Sequence, residues 1–192
     1  MLRMIFLAFL LITPFTAYAD QNVPSDKTVT METNRGNIVI ELFEDKAPIT
    51  VANFRQYVRE SFYDNLIFHR VINSFVLQAG GFESGMNPRH PTHPPIKNEA
   101  TNGLANKRGT LSMARTYVVN SATSQFLINL VDNSNLDNQG QGPAHFGYAV
   151  FGQVIEGMDI VDEIANVQTT TVGSYRDVPK KDIVITKAYE NK

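Results

Sequence analysis

The sequence predicts a mainly β protein built as a closed or nearly closed antiparallel sheet with helices capping its ends. Three observations carry this. Short alternating or wholly apolar runs recur along the chain and are separated by Gly-, Asn- and Pro-containing turns. Only two segments repeat apolar residues at helical spacing. The remaining connections are long and polar, as loops over the ends of a sheet would be. The pattern by itself leaves barrel and sandwich both open.

The first nineteen residues stand apart. Arg3 gives a positive start, Met4 to Ile12 is an apolar run, Pro14 breaks it, and Ala17-Tyr18-Ala19 is a small-x-small cleavage site. This is the pattern of a secretory signal peptide, and the run is shorter than the roughly 20 apolar residues that span a bilayer. Cleavage after Ala19 is expected, so residues 1–19 are assigned to the signal and residues 20–27, which are polar, to a flexible lead-in. Residues 28–192 then form one domain with no internal repeat or linker. With export the expected location is the periplasm, with no membrane association after cleavage.

Within the domain, Thr28 to Thr33 and Ile38 to Leu42 alternate around an Asn34-Arg35-Gly36-Asn37 turn and read as a hairpin. Pro48 opens a helix whose stripe is Val51, Phe54 and Val58, ending near Glu60. Leu66 to Ile72 and Phe75 to Gly80 read as strands. Ser84 to Lys97, with Pro88, Pro91, Pro94 and Pro95, is a loop. Gly109 to Ala114, Gln125 to Val131, Tyr148 to Val154 and Asp182 to Lys187 read as further strands, and Asp132 to Pro143 as a second long loop. Met158 to Asn166 is a short helix with Ile160, Val161 and Ile164 on one side.

The chain has 192 residues, 43% hydrophobic and 19% charged, with net charge −2, which is ordinary globular composition. No basic face of the kind a nucleic-acid partner requires is expected. There is no cysteine, so an exported chain must rely on its core, which a domain of this size supports. His90 and His93 lie in the Pro-rich loop without a third ligand at matching spacing, so no metal is expected. No exposed apolar helix argues for an oligomer, and a monomer is expected.

The most informative stretch runs from Phe68 to Phe82. It places Arg70 and Gln78 in an otherwise apolar, aromatic, strand-like segment that closes on Gly80-Gly81. A core strand needs neither polar group, and a solvated strand does not need Phe68, Phe75 and Phe82. An apolar groove wall with a few placed polar groups needs both. Strand alternation puts Phe68, Arg70 and Ile72 on one face, Val76 and Gln78 on one face, and Gln125, Leu127 and Asn129 on one face, with Phe126 and Ile128 turned toward a core. Taken alone, Arg70 reads as a strand arginine pairing with a neighbouring acid. His69, opposite Arg70 in parity, reads as a satisfied structural histidine.

The stretch resembles the signature of the cyclophilin-type peptidyl-prolyl isomerases. Further blocks resemble the same family: Asn98-Glu99-Ala100, Asn102-Gly103-Leu104, Arg108 to Arg115, Ser121 to Phe126, Val150 to Val154 and Gly157-Met158-Asp159. Several long motifs in order are far more specific than one short motif. Within the family the chain is similar to bacterial exported members. The resemblance implies a closed eight-stranded antiparallel β-barrel capped by two α-helices. It implies cis/trans isomerisation of X–Pro bonds in proline-containing polypeptides, without cofactor or metal, in the folding of exported proteins. By resemblance Arg70 and Gln78 are catalytic: Arg70 is the donor to the prolyl nitrogen, and Gln78 holds Arg70 and the substrate backbone in place. Phe75, Val76, Leu127, Leu136 and Tyr148 line a proline pocket, and Gln125, the backbone of Arg115 and Ala114 form a peptide ledge.

The chain departs from the family pattern at Leu127, where relatives commonly carry Phe, at Val76 for Met, and at Tyr148 for His. Tyr148 keeps a ring with a hydroxyl, but Leu127 and Asn135 erode the pocket, and an alternative reading is a low-turnover peptide-binding or chaperone module of the same fold. Asn135 falls where many relatives place an aromatic on which cyclosporin binding leans. Weak cyclosporin inhibition is therefore expected, and a submicromolar inhibition constant would contradict it.

Overall fold

The computed structural model describes residues 25–192. The signal peptide and cleavage site, and most of the lead-in, lie outside those residues. Ser25–Lys27 make one 3-10 turn that runs directly into the first strand.

The elements follow in order as β1 (Thr28–Thr33), β2 (Gly36–Leu42), α1 (Pro48–Arg59), β3 (Arg70–Ile72), β4 (Val76–Ala79), β5 (Phe82–Glu83), β6 (Asn87–Pro88), β7 (Thr110–Met113), β8 (Phe126–Asn129), β9 (Val150–Glu156), α2 (Met158–Ala165), β10 (Thr169–Val172), β11 (Tyr175–Pro179) and β12 (Ile185–Glu190). Eight strands form one antiparallel sheet in the order β12-β1-β2-β9-β7-β8-β4-β3. β5 pairs with β6, and β10 with β11, as separate ribbons.

The sheet is a curled half-barrel, not the closed barrel expected from the sequence. Its edge strands β3 and β12 form no ladder with each other. The cause lies in the segment before β3, which divides its hydrogen bonds. Ile67 N–H donates to the Phe82 carbonyl at 2.9 Å, whereas Phe68 N–H donates to Ile183 at 2.9 Å and Leu66 accepts from Ile185 at 2.8 Å. The edges therefore meet through an isolated bridge, Ile67 with Val184, and not along paired strands.

The concave face of the sheet is filled with side chains. Phe54 from α1 sits 5.3 Å from the Tyr63 ring, 5.8 Å from Phe126 and 5.0 Å from Phe151, centre to centre. Val51, Phe54 and Val58 are all buried, so the stripe read from the sequence is the face α1 turns inward. Pro48 occupies the first turn, and no side chain of the adjacent residues caps it. Glu99 does so from a distant loop, accepting from Ile49 N–H at 3.2 Å and Thr50 N–H at 2.8 Å, an anion at the positive end of a helix. α2 buries Val161, Ile164 and Ala165 in the same core. Among the described residues no helix is long and apolar enough to cross a membrane.

The sequence reading left residues 167–181 unassigned, and the β10–β11 hairpin occupies them. All four residues of β10 are exposed, so it carries no alternation of buried and exposed positions from which to read a strand. β11 packs beside β3 and thereby borders the groove described next.

Candidate functional site

Strand register assembles the site. Arg70 on β3 pairs directly with Gln78 on β4, and Gln78 pairs with Leu127 on β8. Directly paired residues share a face, so the guanidinium, the carboxamide and the leucine come out on the convex side of the sheet. Phe126 and Ile128, one residue away on β8, are fully buried in the core on the other side.

The polar groups form a chain. Arg70 donates from a terminal guanidinium nitrogen to Gln78 Oε1 at 3.4 Å, and Gln78 donates from Nε2 to Gln125 Oε1 at 2.9 Å. On its other side Arg70 Nε lies 3.8 Å from Asp177 Oδ2 on β11, with about 40% of each side chain exposed. Arg70 is thus both the groove arginine and the partner of a neighbouring acid. An ion pair this open contributes little stability. Its consequence is orientation, because Arg70 is held from both sides of its planar fork.

Beside this chain lies an apolar cluster of Val76, Leu127 and Leu136, with Phe75, Ala114 and Tyr148 packed on its rim. The residues grouped by resemblance as a proline pocket are therefore brought together. Leu136 reaches the cluster from a 3-10 turn, Ser134–Leu136, while Asn135 on the same turn faces solvent. Arg115 lies over the Tyr148 ring at 5.0 Å and holds the facing loop by donating to Gly147 and Pro143 carbonyls, both at 2.8 Å. Its side chain thus braces the pocket wall, and Ala114 N–H bonds Gln125 C=O at 3.0 Å.

Under the apolar cluster runs a buried polar network that the sequence reading did not identify. Asn129 is fully buried and donates to Thr110 Oγ1 at 3.0 Å, while Asn133 donates to Asn129 Oδ1 at 2.8 Å and to the Phe75 carbonyl at 3.0 Å. Asn106 continues it by donating to Asp137 Oδ1 at 2.9 Å. These bonds fix Phe75 and the Ser134–Leu136 turn relative to β8. The signal was in the sequence: Asn129 shared the face of Gln125 and Leu127, but its burial depends on the loops folded over it.

Beyond Arg70 a groove of about 580 Å³ continues between the sheet and the β10–β11 hairpin, floored by His69 and Phe82 and walled by Tyr175 and Asp177. His69 is satisfied only in part. It is bonded to the Ile67 backbone, but its Nδ1 is buried with no hydrogen-bond partner, and the ring packs at a tilt of 48° against Phe82, 4.6 Å between centres. Burial first, and the Arg70 charge second, lower its pKa to about 4, so it is neutral at physiological pH. His93, from the Pro-rich loop, contacts the Glu60 carboxylate at 2.8 Å. Among the described residues no group of three or more His, Cys, Asp or Glu side chains converges on a possible cation site.

The two closing glycines are needed where Gln125 crosses the strand end. Gly80 has φ +92°, and a Cβ there would meet the Ser124 carbonyl oxygen at 2.5 Å. A Cβ on Gly81 would meet Gln125 Nε2 at 2.5 Å.

Comparison with known proteins agrees with this geometry. The family described as cyclophilin type peptidyl-prolyl cis-trans isomerase/CLD matches residues 28–190. Peptidyl-prolyl cis-trans isomerase B of Escherichia coli is 57% identical over 157 residues, covering 82% of this chain and 95% of the relative. Peptidyl-prolyl cis-trans isomerase A of Dickeya dadantii is 49% identical over 189 residues, covering 98% of this chain and 97% of the relative. Among solved structures, a cyclophilin type isomerase of Cryptosporidium parvum, crystallised in the presence of the dipeptide Ala-Pro, superposes with a TM-score of 0.73 at 26% identity, covering 86% of this chain and 99% of that one. The chain belongs to the cyclophilin-type peptidyl-prolyl cis-trans isomerases and is an enzyme of that class.

Three predictions arise from the site. Gly80→Ala, which meets backbone and retains a left-handed φ, is expected to destabilise the fold by roughly 2–4 kcal/mol in denaturant unfolding. Gly81→Ala meets only the end of Gln125 and is expected to cost under about 1 kcal/mol, yet to lower kcat/KM about tenfold by breaking the Gln78–Gln125 bond. For His69, an unfolded histidine with pKa 6.5 takes up a proton that the folded one, at about 4, refuses. Its contribution to stability is full above that unfolded value and is lost as pH falls through the interval, about 3 kcal/mol in all. His69→Phe is expected to flatten that acid limb in unfolding measured at pH 7 and pH 4.5.

Proposed function

We propose that this isomerase accelerates X–Pro exchange during the folding of exported proteins, with Arg70 as the catalytic donor. The observation that carries the assignment of Arg70 is its suspension between Gln78 and Asp177 at the edge of the Val76–Leu127–Leu136 cluster.

The reaction needs no nucleophile and no general base. Amide resonance holds the X–Pro bond planar behind a barrier of about 18–20 kcal/mol, and spontaneous exchange takes roughly tens to hundreds of seconds. Twisting the bond ends the resonance and localises a lone pair on the prolyl nitrogen. A donor at that nitrogen binds the twisted state more strongly than the planar one, and that difference lowers the barrier. Arginine suits the task because it stays charged and presents several N–H groups in a rigid plane.

In this reading the prolyl ring rests on Val76, Leu127 and Leu136 with Phe75 and Tyr148 at its edges. Gln78, tied to Gln125, fixes the guanidinium and offers polar contact to the substrate backbone. Gln125, Ala114 and the Arg115 backbone form the ledge along which the peptide extends. Leu127 makes a shallower floor than an aromatic ring. Export is supported by the leader pattern over 1–19, and the Dickeya relative's match extends over 98% of the chain, into that leader. A periplasmic location and a monomeric state belong to the same proposal.

The test is cis/trans exchange of an Ala-Pro test peptide by NMR with wild type and Arg70→Ala. Wild type is expected to accelerate exchange strongly, and the variant to lose at least about 100-fold in kcat/KM while remaining folded. An Arg70→Ala enzyme within a few-fold of wild type would remove Arg70 from the mechanism.

A further inference from the structure

Tyr117 and Val118 are the two most exposed large apolar side chains among the described residues, at 72% and 64%, and they are neighbours in sequence. Single exposed apolar residues are ordinary, but a contiguous pair beside a groove is not. The pair tops the loop that leaves β7 at Ala114. The base of that loop, Ala114 to Thr116 with Ser121, walls a groove of about 280 Å³ whose other side is Gln78 and Gln125.

The loop is braced. Thr116 N–H and Oγ1 both reach Ser121 Oγ at 2.9 Å, Ser121 Oγ donates to Val118 C=O at 2.7 Å, and Val118 N–H donates to Thr116 Oγ1 at 3.2 Å. Arg115 donates to the Thr116 carbonyl at 3.0 Å from below. Two apolar side chains are thus held out into water by a fixed backbone, a state ready to bury them with little ordering on binding.

We propose that Tyr117 and Val118 form an apolar lip that grips an apolar side chain of the substrate polypeptide where it continues beyond the reacting X–Pro bond. The inference rests on the isomerase reading. Its occupant follows from continuity: the groove beneath the lip shares Gln78 and Gln125 with the Arg70 chain, so a polypeptide on the ledge passes under it. Unfolded chains expose the apolar side chains that folded ones hide, so the lip would favour unfolded clients.

The test compares a short Ala-Pro peptide, a longer peptide with leucines flanking the Ala-Pro unit, and the same longer peptide with serines there. Wild type is expected to favour the leucine peptide over the serine one by about tenfold in kcat/KM, through KM. Tyr117→Ser/Val118→Ser is expected to lose most of that preference. On the short peptide, which ends before the lip, it should stay within about twofold of wild type. Turnover of the short peptide without a leucine preference would overturn the lip and leave the isomerase reading intact. A preference that survives in the double variant would overturn it as well. So would a wild type that sediments as a dimer and a double variant that sediments as a monomer, since the pair would then be a self-association face. Failure of wild type on the short peptide would instead sink the isomerase reading beneath it.

Discussion

Everything at this site depends on the register of three short strands. Arg70 faces Gln78, and Gln78 faces Leu127, because β3, β4 and β8 pair in one alignment. A slip of β3 by one residue would send Arg70 into the core and bring Val71 out. The core enforces the alignment. Val71, Leu77, Phe126 and Ile128 are buried on the opposite face, and a charged residue among them would have no partner for its charge. The packing that stabilises the sheet thus also aims the guanidinium.

A second layer of control is polar. Asn129 lies on the outer face of β8, yet the loops after β8 fold over it and bury it completely. Buried amides must be bonded, and the bonds of Asn129, Asn133, Asn106 and Asp137 tie those loops to the strand. Leu136 and Phe75 are carried on the tied segments, so the apolar cluster is positioned by hydrogen bonds that touch none of its carbon atoms. Arg115 does the same for Tyr148 from the far side. A shallow pocket on the outside of a sheet has little packing of its own, and these networks supply the order that a core would otherwise give.

Much of the site was legible in the sequence because strand parity is a strong constraint. The division of Gln125 and Leu127 from Phe126 and Ile128 follows from alternation alone, and the resemblance of ordered motifs groups Phe75, Val76, Leu136 and Tyr148. Three things were not legible. Closure of the sheet depends on how the Leu66–Phe68 segment shares its hydrogen bonds, a tertiary choice with no local signature. The β10–β11 hairpin is exposed along β10, so the apolar periodicity that betrays a strand is missing, and Asp177 was missed with it. His69 was read as opposite to Arg70, yet it borders the same groove, and its orphaned Nδ1 depends on the packing of Phe82 against it.

The central claim is that Gln78 serves the reaction mainly by holding Arg70, with its contact to the substrate backbone secondary. The measurement that tests it most directly is a double-mutant cycle in kcat/KM on a short proline peptide, with Gln78→Ala made in wild type and in Arg70→Ala. The account predicts a loss of roughly ten- to a hundredfold in the wild-type background and almost none once Arg70 is gone. Equal losses in both backgrounds would contradict it and would assign Gln78 an independent part in the reaction.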